Sequence, residues 1–156
     1  MTDCPHIMIV EARFYPDIAD ELVRGATAAL DAAGATVERL EVPGVFEIPA
    51  AIGMAIESAG RRRCDGFVAL GCVIRGETSH YDIVCNESAR ALQNLACEFN
   101  LALGFGVLTV ENEAQAWARA KVDRYNKGGE AARACLAMLG IKRSLGLHRR
   151  DAAPPA

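Results

Sequence analysis

The chain has 156 residues, 51% of them hydrophobic and 24% charged, which suits one soluble domain with a sizeable core. A formal net charge of −3 argues against general attraction to nucleic acid or to an anionic membrane. No apolar run reaches the roughly 18 residues of a bilayer span, and the start MTDCPHIMIVEARF lacks the basic-then-apolar pattern of a signal peptide, so neither membrane insertion nor export is expected.

In chain order, HIMIVE (His6 to Glu11) is short, apolar and β-branched, and predicts a strand. Ile18, Leu22, Val23, Ala26, Ala29 and Leu30 recur at helical spacing, so Asp17 to Ala33 predicts a helix, with Pro16 before it and Gly34 after it as start and stop. TVERLEV (Thr36 to Val42) alternates as a strand does. VPGVFEIP (Val42 to Pro49) holds two prolines and a glycine and predicts a shaped loop, with a helix from Ile48 to Ala59 ending at Gly60. RRRC (Arg61 to Cys64) predicts a basic surface turn. GFVALGCVI (Gly66 to Ile74) is almost continuously apolar, as in a strand covered on both faces. A long helix is expected from about Tyr81 to Phe99, a fourth strand from Phe105 to Val110, a helix from Glu113 to Ala120 with Asn112 as N-cap, and a last helix from Gly128 to about Ser144. Residues 1–5 and 149–156 are expected to be flexible tails of a single 1–156 domain.

Strands alternating with helices imply right-handed crossovers and a parallel sheet between helical layers, an α/β architecture. Ligands of such sheets bind beyond the carboxyl ends of the strands. That rule selects four loops: Ala12–Pro16, Pro43–Pro49, Arg75–His80 and Val110–Asn112.

The six cysteines form no CxxC pair and sit mostly in apolar segments, so reduced thiols in a cytoplasmic protein are expected. Gly71 to Thr78 nearly fits GxxxxGK[ST], but Glu77 stands at the lysine position, where a carboxylate repels the phosphates that a lysine holds. A nucleotide triphosphatase is rejected; an anion site at the following helix start survives, beside the commoner outcome of an ordinary turn. His80 adjoins a helix N-terminus, where the macrodipole disfavours the imidazolium form and suits proton exchange near neutral pH. Surface or capping histidine stands slightly ahead of catalysis on these residues alone. A metal role comes last, because His6 and His148 lie near the chain ends with no supporting cluster. Arg119, Lys121, Arg124 and Lys127 form a basic segment, either a phosphate grip or a solvated helix end. Phe46-Glu47 offers an aromatic face beside a carboxylate, which suits a flat heterocycle with N–H donors, or a packing ring beside an exposed acid. Phe14 and Phe105 lie at or near strand boundaries, and either equally suits the core.

Five segments taken together carry a resemblance: ARF at Ala12–Phe14, VPGVFEIPAA at Val42–Ala51, GCVIRGETSHYDIVCNE at Gly71–Glu87, FGVLTVENEAQAWARA at Phe105–Ala120, and NKGGEAA at Asn126–Ala132. In this order the chain resembles the lumazine synthase family of riboflavin biosynthesis. The resemblance implies a flavodoxin-like three-layer sandwich with a four-stranded parallel sheet. It implies condensation of 5-amino-6-(D-ribitylamino)uracil with 3,4-dihydroxy-2-butanone 4-phosphate to 6,7-dimethyl-8-ribityllumazine, with loss of phosphate and water and with no metal or organic cofactor. His80 then matches the proton-transfer histidine, and Glu77 and Thr78 the loop meeting the phosphate-bearing substrate. Arg119 matches the phosphate-gripping arginine, with Lys127 nearby. Phe14, Val45, Phe46, Glu47, Cys72, Val73, Ile74 and Phe105 match positions around the pyrimidine and its ribityl chain. The resemblance also implies sites between neighbouring subunits, with Phe105, Arg119 and Lys127 coming from the copy beside the one giving His80. Val122-Asp123-Arg124-Tyr125 replaces the glycine-containing segment of shell-forming members, so an isolated homopentamer is expected. Tyr15 stands where many members have Asn, which leaves open an alternative: a non-catalytic paralogue that binds a flavin or lumazine.

Overall fold

The computed structural model describes residues 4–58 and 63–147. Four strands, β1 (His6–Ala12), β2 (Thr36–Val42), β3 (Gly66–Ile74) and β4 (Ala102–Val110), form one all-parallel sheet in the order β2-β1-β3-β4. Between and after them lie α1 (Pro16–Ala32), α2 (Ile48–Glu57), α3 (His80–Phe99), α4 (Glu113–Ala120) and α5 (Lys127–Ser144). The fold is therefore the expected flavodoxin-like α/β sandwich.

The strand period of two divides the core into two layers. Ile7, Ile9, Val68 and Leu70 face α1, α4 and α5, with Leu22, Leu30, Ala132 and Cys135 across from them. Met8, Val10, Phe67 and Ala69 face the opposite layer, with Ile48, Ile52, Val84 and Leu92. Each such side chain, fully buried, contributes about 1.5–3 kcal/mol of transfer free energy. β1 is buried at every residue, and β3 at all but its last two, because both are central strands with helices on both faces. β2 is an edge strand, and only its last residue, Val42, is buried.

Local chemistry sets the helix ends. Pro16 occupies the first turn of α1, where its missing N–H costs nothing. Gly34 ends that helix in the left-handed region at φ +72°, and the Ala35 N–H donates back to the Leu30 carbonyl. Asn112 caps α4 as expected, its Oδ1 accepting from the Gln115 N–H at 2.9 Å.

Several boundaries differ from the sequence expectation: β1 runs one residue further, to Ala12, α1 lies one residue earlier, at Pro16–Ala32, and α5 begins at Lys127. α2 stops at Glu57, before Ala59. α3 begins one residue early, at His80. β4 begins at Ala102, three residues before Phe105, and its early part contains Gly104. A Cβ on Gly104 would lie 1.9 Å from the Ala131 carbonyl oxygen, so glycine there is what lets α5 lie against β4. Arg61 and Arg62 of the basic turn and most of the expected tails lie outside the described residues. Of those tails Cys4 and Pro5 are described, and the Pro5 carbonyl accepts from the Thr36 N–H at 2.8 Å.

Candidate active site

β1 connects to β2 on one side and the chain then crosses to β3 on the other. The carboxyl ends of β1 and β3 are thus a switch point, where loops diverge and leave a crevice. The crevice has a volume of about 450 Å³. Phe14 and Tyr15 line it from the end of β1, and Pro43 to Glu47 from the end of β2. Cys72, Val73, Ile74, Gly76 and Thr78 come from β3 and its loop, and His80, Tyr81 and Val84 from the first turns of α3.

The loop after β2 is shaped by its sequence. Val45 to Glu47 make a single 3-10 turn in which Val45 is buried and Phe46 is left 54% exposed. Gly71 on β3 allows this turn to close down: a Cβ there would lie 2.6 Å from Val45 Cγ2 and 3.0 Å from Ala12 Cβ. Phe14 is 69% exposed and stands edge-on to Tyr15, with ring centroids 5.0 Å apart. Two large aromatic side chains lining one crevice, Phe14 and Phe46, both open to solvent, are unusual unless something stacks on them.

His80 is the first residue of α3, and its N–H donates to Thr78 Oγ1 at 3.3 Å. One of the helix's four orphan donors is thereby used locally; the helix start and the side chain of His80 share the crevice wall. Cys72 also faces the crevice, but burial pushes its thiol up to about 12, so it is a neutral lining group rather than a nucleophile at neutral pH.

Two ionic assemblies that the residue types alone did not reveal hold these loops. Arg75 at the end of β3 donates through Nε to Glu111 at 2.8 Å, lies 3.5 Å from Asp82, and sits 4.2 Å over the Tyr81 ring. It joins β3, the end of β4 and the first turn of α3. Glu11 near the end of β1 is completely buried and receives Arg39 in a bidentate pair at 2.8 and 2.7 Å, plus Arg13 at 2.7 Å. Burial pushes the Glu11 carboxyl up, but the hydrogen bonds from Arg39 and Arg13 outweigh it and hold the group below the usual carboxylate range. Arg13 also reaches Asp20 on α1 at 2.6 Å, which fixes the turn that presents Phe14. Arg75 was findable, being a cation inside the VIRGETSH stretch at a strand end. The Glu11–Arg39 pair was not, because it depends on the register of β1 against β2.

Nine of the thirteen expected site residues line this crevice: Phe14, Val45, Phe46, Glu47, Cys72, Val73, Ile74, Thr78 and His80. Glu77 is in the same loop, exposed, but not among the lining residues. Phe105, Arg119 and Lys127 are elsewhere on the chain. Phe105 is 47% exposed and lines a second depression with residues of α3 and Met138. Arg119 donates to the Gln115 carbonyl at 3.1 Å and faces the Tyr125 ring, and Lys127 Nζ pairs with Glu130 at 2.7 Å. The expectation that His6 has no supporting donors is corrected: Glu38 and Cys64 gather beside it, at the far end of the strands. His148 lies outside the described residues.

A parallel α/β sandwich with an aromatic-walled crevice at its switch point, entered by a histidine at a helix start, defines a class of small-molecule enzymes. Residues 5–143 match the family described as 6,7-dimethyl-8-ribityllumazine synthase. The chain is 61% identical over 146 residues to 6,7-dimethyl-8-ribityllumazine synthase 1 of Rhizobium meliloti (strain 1021), covering 92% of this chain and 95% of that one. It is 58% identical over 144 residues to the synthase of Agrobacterium fabrum, covering 91% and 97%. With the synthase of Bartonella tribocorum the figures are 54% over 145 residues, covering 93% and 95%. The chain belongs to the 6,7-dimethyl-8-ribityllumazine synthase family.

Proposed function

We propose that the crevice is one half of an active site that condenses 5-amino-6-(D-ribitylamino)uracil with 3,4-dihydroxy-2-butanone 4-phosphate. The product is 6,7-dimethyl-8-ribityllumazine, and phosphate and water are released. The observation that carries this reading is the meeting of Phe14, the Val45–Glu47 turn, Thr78 and His80 around one cavity of about 450 Å³. The aromatic faces suit a flat pyrimidine, Glu47 suits its N–H donors, and the polar loop before α3 suits the second substrate. The chemistry is imine formation, phosphate elimination and ring closure. Each step moves protons, and His80 is assigned that work. Holding the amine of one substrate against the carbonyl of the other supplies the remainder as positioning.

In this reading Arg119 and Lys127 of a neighbouring copy grip the phosphate, and Phe105 of that copy covers the pyrimidine. Support comes from their separation from the crevice within one chain, and from the solvent-exposed apolar side chains Met54, Ile83, Phe99, Phe105 and Ile141. A ring of five copies in the cytoplasm is the proposed working form. Among the described residues no helix is long and apolar enough to cross a membrane.

The test mixes the purified protein with both substrates and follows lumazine absorbance together with phosphate release. Both products are expected in equal amounts. A folded oligomer that is yellow as purified, binds flavin tightly and releases no phosphate would overturn the catalytic reading in favour of a binding paralogue.

A further inference from the structure

We propose that His6, Glu38 and Cys64 form a binding site for a single zinc-class divalent cation, at the end of the sheet opposite the crevice. Their ligand atoms, an imidazole nitrogen, a carboxylate oxygen and a thiol sulfur, all lie within 4.8 Å of one another. A tetrahedral zinc centre places such donors about 3.3–3.7 Å apart, given bonds of about 2.0–2.3 Å. His6 Nε2 and Glu38 Oε2 are already 3.4 Å apart. Nitrogen, oxygen and sulfur together select zinc or cobalt over calcium or magnesium, which prefer oxygen alone.

The surroundings orient the imidazole as a ligand. Thr36 Oγ1 lies 2.8 Å from His6 Nδ1 and 3.4 Å from the Pro5 carbonyl, and Nε2 faces Glu38 at 3.4 Å. With the proton on Nδ1, Thr36 is the orienting partner that metal-binding histidines share, and Nε2 is the ligand atom. The Cys64 thiol at the same point adds to the imidazole and carboxylate the soft donor that zinc and cobalt favour.

The backbone holds the three donors in place. His6 and Thr36 are register partners on β1 and β2, and the strand period of two puts Glu38 on the same face as Thr36. The residue after Cys64 is tied to β1 twice: the His6 N–H donates to Asp65 Oδ2 at 2.7 Å, and the Asp65 N–H to the His6 carbonyl at 2.7 Å. His6 is 8% exposed and the Glu38 side chain 33% exposed, so the site pairs a buried ligand with one nearer the surface. From His6 to Ala12 the seven residues of β1 make six steps, which puts this site roughly 20 Å from the crevice. A cation here would clip β1, β2 and the entry to β3 together without touching the chemistry.

The experiment uses the chelator-treated full-length oligomer titrated with Co²⁺. One equivalent per chain should bind with a thiolate-to-cobalt charge-transfer band and the visible absorption of a tetrahedral centre, and Zn²⁺ should displace both. Cys64→Ser and Glu38→Gln should each remove the charge-transfer band or the tetrahedral absorption while lumazine formation stays unchanged. Cys4→Ser, altering the exposed thiol nearest in sequence, should leave both intact. Thr36→Val should weaken binding by about 10- to 100-fold, as loss of an orienting partner does. Absence of the charge-transfer band at one equivalent, or its survival in Cys64→Ser, overturns the site.

Discussion

His80 has its backbone N–H on Thr78 and its place in the crevice wall set by the first turn of α3. A histidine that only capped the helix would contribute stability and nothing to turnover. His80→Ala is therefore expected to lower kcat by about 10²- to 10⁴-fold, with the oligomer and its thermal midpoint retained. Steady-state assay beside sedimentation separates the two roles, and full activity in the variant would remove His80 from the mechanism. Glu11 makes a different kind of prediction. Its folded carboxyl titrates below the ordinary value of 4.5, because Arg39 and Arg13 favour the charged form more than burial opposes it. The stabilisation is then complete above about pH 4.5 and lost as pH falls through the lower, folded value. Urea midpoints should drop over that acidic interval, and Glu11→Gln should flatten the drop. At neutral pH the same substitution should cost about 3 kcal/mol, the low end for breaking a buried pair, because Arg39 is 47% exposed and can reach water.

At the scale of elements, most of the fold was legible because strands and helices here carry clean periods. The apolar run from Gly66 to Ile74 read as a central strand, and it is one. The helix of α1 followed from its spacing and from Pro16 and Gly34 at its ends. β4 was expected only from Phe105 but begins at Ala102, and Gly104 belongs in it because α5 lies against it, which no local pattern reveals. α3 ends at Phe99 as expected, with Asn100, left-handed at φ 51°, in place of a glycine as its cap. Gly104→Ala tests the close approach. The added Cβ meets a backbone carbonyl rather than a movable side chain, so α5 itself must shift. A loss of about 1–3 kcal/mol is expected, read from denaturant midpoints. An unchanged midpoint would mean that α5 is less tightly seated than the contact implies.

The whole molecule explains why the site was only partly legible in a single chain. Loop residues at the ends of β1, β2 and β3 converge because a parallel sheet gathers its carboxyl ends, and a motif reading finds them together. Arg119, Lys127 and Phe105 belong to other parts of the surface of one copy; only the family resemblance, not periodicity or spacing, joined them to the crevice. In the proposed reading their role is a property of the assembly. In a closed ring with head-to-tail contacts, every crevice faces one neighbour, and that neighbour gives its Arg119 to no other crevice. Size is the first check: sedimentation should find five chains, since Val122 is tied by its N–H to Glu21 on α1 at 2.9 Å and the bulky segment after it lacks glycine. A shell-sized particle at neutral pH would refute that form.

Complementation tests the shared site itself. Arg119→Ala alone should raise the KM for the phosphate-bearing substrate about ten- to hundredfold, the cost of about 1.5–3 kcal/mol for losing charged hydrogen bonds. His80→Ala alone should lose turnover. When the two variants are unfolded together and reassembled in equal amounts, an interface is intact only where an Arg119→Ala copy supplies the histidine and a His80→Ala copy supplies the arginine. Random assembly in a head-to-tail ring makes about one quarter of the interfaces intact. Activity with native KM should therefore return to about a quarter of the unmodified protein's, though neither variant has it alone. If both groups acted within one chain, every copy would remain defective and mixing would restore nothing.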